Sequence, residues 1–140
     1  MLYKNTGVSG GKFLTPLVVE LISDAGDGIW QLRDPLQYYS EILGGVITAD
    51  TGFVTDFASV PRLPVVYLMY GNKAKREATI HDLLYQCGNV ERETADRIFL
   101  EAMTANPEIT EQEREAMFDG VRLFGGSHKS DNMTLNLALT

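Results

Sequence analysis

Three side chains of types that carry out acid–base chemistry occur close together in this chain: His81, Asp82 and Asp96. Gly88 and Asn89 lie near the midpoint between His81 and Asp96, and such a pair is typical of the end of a helix. Two antiparallel helices joined at that turn place residues equidistant from it side by side. The spacing therefore predicts that His81 faces Asp96.

This pairing has a chemical meaning. A carboxylate bonded to one imidazole nitrogen fixes the tautomer, so the other nitrogen can take a proton from water. We therefore interpret His81 as a candidate general base and Asp96 as the residue that orients it. Tyr85 lies four residues after His81, on the same helix face, and is a third candidate catalytic residue. Arg92, predicted to lie near Tyr85, is a candidate supporting residue.

A metal ion near His81 is a further hypothesis. Asp82 points about a quarter-turn away from His81 and could bind a cation beside the same water. With two histidines in the chain, a three-histidine zinc site is impossible. The sequence therefore predicts oxygen-rich ligands near His81, drawn from Asp82, Asp56 and Asp96. Calcium is the first choice of cation, and zinc or manganese the second.

Alternatives stay open for both candidate segments. His81 and Asp96 also fit an inert polar clip between two helices. The segment from Thr55 to Arg62 contains Asp56 and Ser59, which would reach the mouth of the site with Arg62 in support. The same segment equally fits a structural turn in which Thr55 or Asp56 caps a short helical turn.

The elements that would position these residues change type along the chain. Alternating apolar residues over 17–22 and 29–33 predict a β-hairpin. Apolar stripes of helical period predict helices from about Lys73 to Gln86 and from about Glu91 to Thr104. A third helix is predicted to begin at Thr110, which forms a capping box with Glu113.

The tail alternates with period two, because Met133, Leu135, Leu137 and Leu139 are separated by more polar residues. This pattern predicts a strand that pairs with its own sheet or with another chain. The predicted fold class is α+β, with a small N-terminal antiparallel sheet packed on a three-helix C-terminal half and a C-terminal edge strand. We expect a polar N-terminal arm over residues 1–12, one domain over 13–126 and a tail over 127–140.

Composition excludes several classes of protein. The net charge of −7 repels nucleic acid and anionic membranes, so we expect no nucleic-acid partner. The longest apolar run, over residues 63–70, is too short to span a bilayer. No signal peptide opens the chain, which predicts a cytoplasmic location. The single cysteine, Cys87, excludes an internal disulfide and is expected in the core.

Several motifs in series resemble one family. These motifs span residues 55–62 and 81–85, then Arg92 with Ala95, Asp96 and Phe99, and finally residues 121–125. Together they resemble the family called domain of unknown function 1353, found mainly in tailed phages and prophages, over about residues 13–125. Phe118 stands where that family would have tyrosine. The resemblance implies a phage-encoded protein, located in the host cytoplasm or incorporated into the virion.

A shorter pattern suggests a mechanism. His81, Asp82 and Tyr85, followed by a carboxylate on the next helix, are similar to the core of secretory and parvoviral phospholipases. That similarity implies that His81 activates water, Asp82 binds calcium, and Asp96 orients His81 while bonded to Tyr85.

Two functions are therefore expectations. The first is a metal-assisted hydrolase acting on lipid or cell-wall material during infection. The second is a non-catalytic virion or tail-assembly component that docks on other virion proteins or on itself through residues 1–12 and 131–140.

Overall fold

The computed structural model describes residues 10–26, 28–56, 73–124 and 137–139. Strands fill the first half and helices most of the second, which confirms the predicted α+β class. The strands are β1 (Lys12–Phe13), β2 (Val19–Ser23), β3 (Ile29–Leu32), β4 (Leu36–Ser40), β5 (Gly45–Ala49), β6 (Val54–Thr55) and β7 (Leu137–Leu139). The helices are α1 (Lys75–Cys87), α2 (Arg92–Thr104) and α3 (Glu111–Phe124).

The strands form two antiparallel sheets. The order in the larger sheet is β1-β4-β5-β7, and the order in the smaller sheet is β2-β3-β6. Arg33, Asp34 and Pro35 separate β3 from β4, where the chain passes from the smaller sheet to the larger one. Proline has no N–H to donate to a ladder, so this junction suits a break in strand pairing.

The helix boundaries follow local chemistry. Ala74, which precedes α1, has φ 64°, a left-handed conformation that a helix cannot continue, so α1 begins later than the sequence predicted. Gly88 ends α1 with φ 72°, as expected for a glycine at this position. The capping box of α3 is confirmed: Glu113 N–H donates to Thr110 Oγ1 at 3.2 Å, and Thr110 N–H donates to Glu113 Oε1 at 2.9 Å.

A buried carboxylate attaches the larger sheet to the helices. Glu101 on α2 is 0% exposed and accepts hydrogen bonds from Tyr38 Oη at 2.7 Å and from Ile42 N–H at 3.0 Å. Around it the apolar faces of β4 and β5 pack on α1 and α2 in one core cluster. Gly11 lies against Tyr38 and Glu101 with no space for a side chain, so the last residues of the predicted N-terminal arm pack on the domain.

The C-terminal strand pairs within its own chain. Leu137 is opposite Ile47 and Leu139 is opposite Gly45, which places β7 at an edge of the larger sheet. The predicted edge strand is therefore confirmed for residues 137–139. Residues 1–9 and 125–136, which contain most of the two predicted arms, lie outside the described residues. None of the described helices is long and apolar enough to cross a membrane.

The Tyr38–Glu101 contact leads to a test of the sheet–helix attachment. We expect Tyr38→Phe to lower the free energy of unfolding by about 1–3 kcal/mol, because it leaves a buried carboxylate oxygen without its donor. Tyr39→Phe is the matched control, since Tyr39 is the next residue of β4 and points to the other face. Urea unfolding of both variants measures the effect, and equal losses would contradict the assignment.

Candidate functional site

The candidate site lies where α1 and α2 face each other. His81 Nε2 is 2.7 Å from Asp96 Oδ1, so the two residues that the sequence predicted to pair are in contact. Both are buried, with side chains 1% and 0% exposed. The imidazole also stacks on the Phe99 ring, with centroids 4.6 Å apart, and lies 4.2 Å from the Tyr85 ring. The ring of His81 is therefore held by its neighbours on two helices.

Asp96 accepts hydrogen bonds from three different side chains. Besides His81, the Tyr85 hydroxyl donates to Asp96 Oδ1 at 2.6 Å, and Arg122 Nη1 donates to Asp96 Oδ2 at 2.8 Å. Arg92, the predicted supporting residue, donates through Nη2 to the Arg122 carbonyl oxygen at 2.7 Å, near the end of α3. Arg92 therefore contacts the backbone of α3 at Arg122, whose side chain in turn contacts the Asp96 carboxylate.

Arg122 was not among the site residues that sequence reasoning selected. An arginine directly after buried Val121, on the helix that follows the hairpin, is the signal that could have pointed to it. Its side chain is 24% exposed, so it connects the buried carboxylate with the surface. We define the polar cluster as His81, Tyr85, Asp96 and Arg122.

The electrostatics of the cluster keep Asp96 ionised and Tyr85 protonated. Burial alone would raise the pKa of the Asp96 carboxyl, but the bonds and charge of His81, with the bonds from Tyr85 and Arg122, hold that pKa below its ordinary value. Burial raises the pKa of the Tyr85 phenol, and the adjacent Asp96 carboxylate raises it further. Tyr85 therefore acts as a hydrogen-bond donor near neutral pH.

The ionised carboxylate determines the tautomer of His81. A carboxylate only accepts hydrogen bonds, so the imidazole in contact with it keeps a proton on Nε2. Nδ1 is then the ring nitrogen through which a proton would be gained or lost. The arrangement is chemically able to position an imidazole for proton transfer.

Asp82 occupies a separate environment beside the polar cluster. It is 5% exposed, and Thr55 Oγ1 donates to its Oδ2 at 2.9 Å, which joins β6 of the smaller sheet to α1. Asp56, the other predicted metal residue, follows Thr55 and is exposed. Ser59 and Arg62, predicted at the mouth of the site, lie outside the described residues.

The described residues do not assemble a metal site. Among them, no three histidine, cysteine or acidic side chains are grouped so that they could hold a metal ion. The cation near Asp82 and Asp56, with Asp96 nearby, stays a prediction.

These features define an α+β domain with a buried histidine–carboxylate cluster between the helices of a hairpin. The chain belongs to the family described as "Protein of unknown function (DUF1353)", whose model matches residues 30–121. The match includes three members of the polar cluster and ends one residue before Arg122. No curated protein and no solved structure matches the chain.

The depressed pKa of Asp96 gives a stability prediction. The pKa of Asp96 is lower in the folded chain than in the unfolded chain. The ionised carboxylate therefore contributes its full stabilisation at pH values above the unfolded-state pKa, and this stabilisation is lost as the pH falls through the folded-state pKa. Asp96→Asn should therefore lower the free energy of unfolding by about 1–3 kcal/mol near pH 7. The difference in the free energy of unfolding between the parent and the variant should become smaller below pH 3.8, the ordinary pKa of this carboxyl.

Urea unfolding of both proteins at pH 7, 5 and 3 measures this dependence. Asp34→Asn, an exposed carboxylate between β3 and β4, is the control and should show no such pattern. A loss for Asp96→Asn that is the same at all three pH values would contradict the role given to the ionised carboxylate.

Proposed function

We propose that this chain is a phage-encoded hydrolase in which His81 is the general base. The observation that carries the proposal is the 2.7 Å contact between His81 Nε2 and the buried, ionised Asp96, which holds the imidazole in one orientation. In this role Nδ1 takes a proton from water as the water attacks the substrate, and the imidazolium then returns the proton to the leaving group. Lipid or cell-wall material encountered during infection is the proposed substrate.

The other members of the polar cluster act through Asp96. Asp96 keeps the imidazole in one tautomer and stabilises the imidazolium that forms. Tyr85 and Arg122 hold the two oxygens of Asp96. The bond from Tyr85 to Asp96 is the one that the similarity to phospholipases implies, which supports a related mechanism. No step is assigned to a metal ion, because the described residues do not assemble a ligand set.

A second candidate function is a non-catalytic virion or tail-assembly component. The observation that favours it is burial: His81 is 1% exposed and Asp96 0%, as in an inert clip between helices. In this function residues 1–12 and 131–140 dock on other virion proteins or on a second copy of the chain. Because β7 pairs with β5 of its own chain, docking through residues 137–139 would use the outer edge of β7. The first function places the protein in the host cytoplasm and the second in the virion.

Substitution of His81 separates the two functions. If His81 is the general base, His81→Asn should lower the hydrolysis rate by about 10²–10⁴-fold. Tyr85→Phe should have a smaller effect, since it removes one of the three donors to Asp96. Phospholipid and peptidoglycan fragments are the substrates, and thermal melting of each variant is measured alongside. His128→Asn, which changes the second histidine of the chain, is the control and should leave the rate unchanged.

A structural clip would give a different result. His81→Asn would then lower the free energy of unfolding by about 1–3 kcal/mol, and the parent protein would hydrolyse neither class of substrate. That outcome would reject the hydrolase and favour the virion component.

The cation hypothesis has its own measurement. If Asp82 and Asp56 bind a divalent cation, calorimetric titration of the parent protein with calcium should show binding that Asp82→Asn removes. Zinc and manganese are tested second. Asp34→Asn, in a turn of the strand region, is the control and should bind like the parent. Absence of binding at millimolar concentrations of all three ions would reject the metal site.

A further inference from the structure

A buried carboxyl group that the polar cluster does not include lies in the first turn of α1. Glu77 is four residues before His81, so the two side chains share a helix face. The Glu77 side chain is 1% exposed, and its Oε2 accepts a hydrogen bond from Asn106 Nδ2 at 3.1 Å. Asn106 belongs to residues 105–110, which join α2 to α3 and which we call the α2–α3 loop. Glu77 therefore connects the start of α1 to this loop.

A cavity of about 160 Å³ lies at the same connection. Residues 73–77 form one side of it, and Asn106, Glu108 and Ile109 of the α2–α3 loop form the other. This volume is large enough for water. The start of α1 is also weakly held, because Ala74 has φ 64°, an unfavourable conformation for a residue with a Cβ atom, and no side chain caps the helix. Separation of the loop from α1 would therefore bring water to Glu77.

The positive charges near Glu77 are exposed or have another partner. Arg76 Nη2 is 3.7 Å from Glu77 Oε2, but the Arg76 side chain is 38% exposed and its guanidinium also lies over an aromatic ring of β1. Lys73, on the same cavity, forms an ion pair with Glu113 of α3 at 2.9 Å. Lys75 also lines the cavity and is exposed. The buried carboxyl therefore has no buried cation as its partner among the described residues.

The acidic groups around Glu77 oppose its ionisation. Glu108 of the α2–α3 loop is a second carboxylate on the cavity. Towards the larger sheet, burial, the hydrogen bond to Glu101 and the charges of Glu101 and Glu77 raise the pKa of the Tyr38 phenol. One turn further along α1, the imidazole of the polar cluster contacts Asp96. Every element packed against Glu77 thus presents a group that repels or does not compensate its negative charge.

The protonated form of Glu77 is therefore favoured in the folded chain. Burial raises the pKa of its carboxyl above the ordinary value of 4.5, and the bond from its own N–H, the charge of Arg76 and the bond from Asn106 offset this only in part. The stability that follows from a raised pKa is complete at pH values below the unfolded-state pKa. It is lost as the pH rises through the folded-state pKa.

We propose that Glu77 is a pH-sensitive connection between α1 and the α2–α3 loop: protonation of its carboxyl stabilises the closed arrangement, and ionisation shifts it toward an open one in which water fills the cavity. An ionised carboxylate enclosed by protein lacks hydration, and separation of the loop from α1 restores that hydration. Opening is local, because the polar cluster and the bond from Tyr38 to Glu101 hold the rest of the hairpin. The inference does not depend on the proposed hydrolase, in which Glu77 has no role.

Melting temperatures of the full chain from pH 4 to pH 7 test the direction of the effect. Glu77→Gln has no ionisable group at this position, and the other carboxyl groups titrate alike in both proteins. We expect the melting temperature of the parent, relative to Glu77→Gln, to fall by several degrees as the pH rises. A hydrogen bond lost in the variant shifts it equally at every pH, so the change with pH is the readout even if the variant is less stable.

The first turn of α2 offers a matched control. Glu93 occupies that turn and is exposed, so Glu93→Gln should follow the parent at every pH. A difference between the parent and Glu77→Gln that is constant from pH 4 to pH 7, or that changes in the opposite direction, would overturn the proposal. The same change in Glu93→Gln would overturn it as well.

Hydrogen exchange locates the opening. Amide exchange is compared between the parent and Glu77→Gln at the same pH, which removes the intrinsic dependence of exchange on pH. The ratio of the parent rate to the variant rate should rise from pH 4 to pH 7 at residues 74–79 and 105–110, and should stay constant in β4 and β5. A rise of equal size throughout the chain would mean global unfolding and would reject a local opening.

Discussion

The burial of the Asp96 charge is the constraint on which the helical half of the structure depends. A carboxylate that is 0% exposed requires partners, because an unpaired buried charge is strongly destabilising. Its partners come from different helices: His81 and Tyr85 from α1, and Arg122 from α3. Hydrogen bonds are directional, so these contacts specify how α1, α2 and α3 lie against one another, which apolar packing alone specifies less strictly.

Two other buried carboxylates attach the same hairpin to the strands. Glu101 on α2 accepts from Tyr38 of β4 and from Ile42 in the turn between β4 and β5, whereas Asp82 on α1 accepts from Thr55 of the smaller sheet. Asp96, Glu101 and Asp82 therefore each connect the hairpin to a different neighbour: α3, the larger sheet and the smaller sheet, in that order. Position along the hairpin decides which neighbour each carboxylate meets.

This arrangement links stability and the proposed chemistry. The contacts that hold His81 in one tautomer also join the helices. A substitution in the polar cluster therefore changes both the stability of the fold and the orientation of the imidazole. Stability and activity must therefore be measured together, with variants that separate the two effects. The hydrogen bond from Thr55 to Asp82 matters in the same way, because it attaches the smaller sheet to the hairpin.

The sequence by itself determined the local elements and one tertiary contact. Helical and alternating periods predicted the helices, the β2–β3 hairpin and the strand at residues 137–139, because a buried face imposes a period of 3.6 or 2 on the residues that form it. The pairing of His81 with Asp96 followed from the turn at Gly88, since an antiparallel hairpin relates residues by their distance from the turn.

Only the tertiary structure decided the rest. It brought Arg122 to Asp96 and Thr55 to Asp82, and it divided the strands between two sheets. These contacts join segments far apart in the chain, and no period or spacing specifies which distant donor a buried carboxylate will meet. That choice depends on how whole elements pack, which the sequence pattern of any one element does not contain.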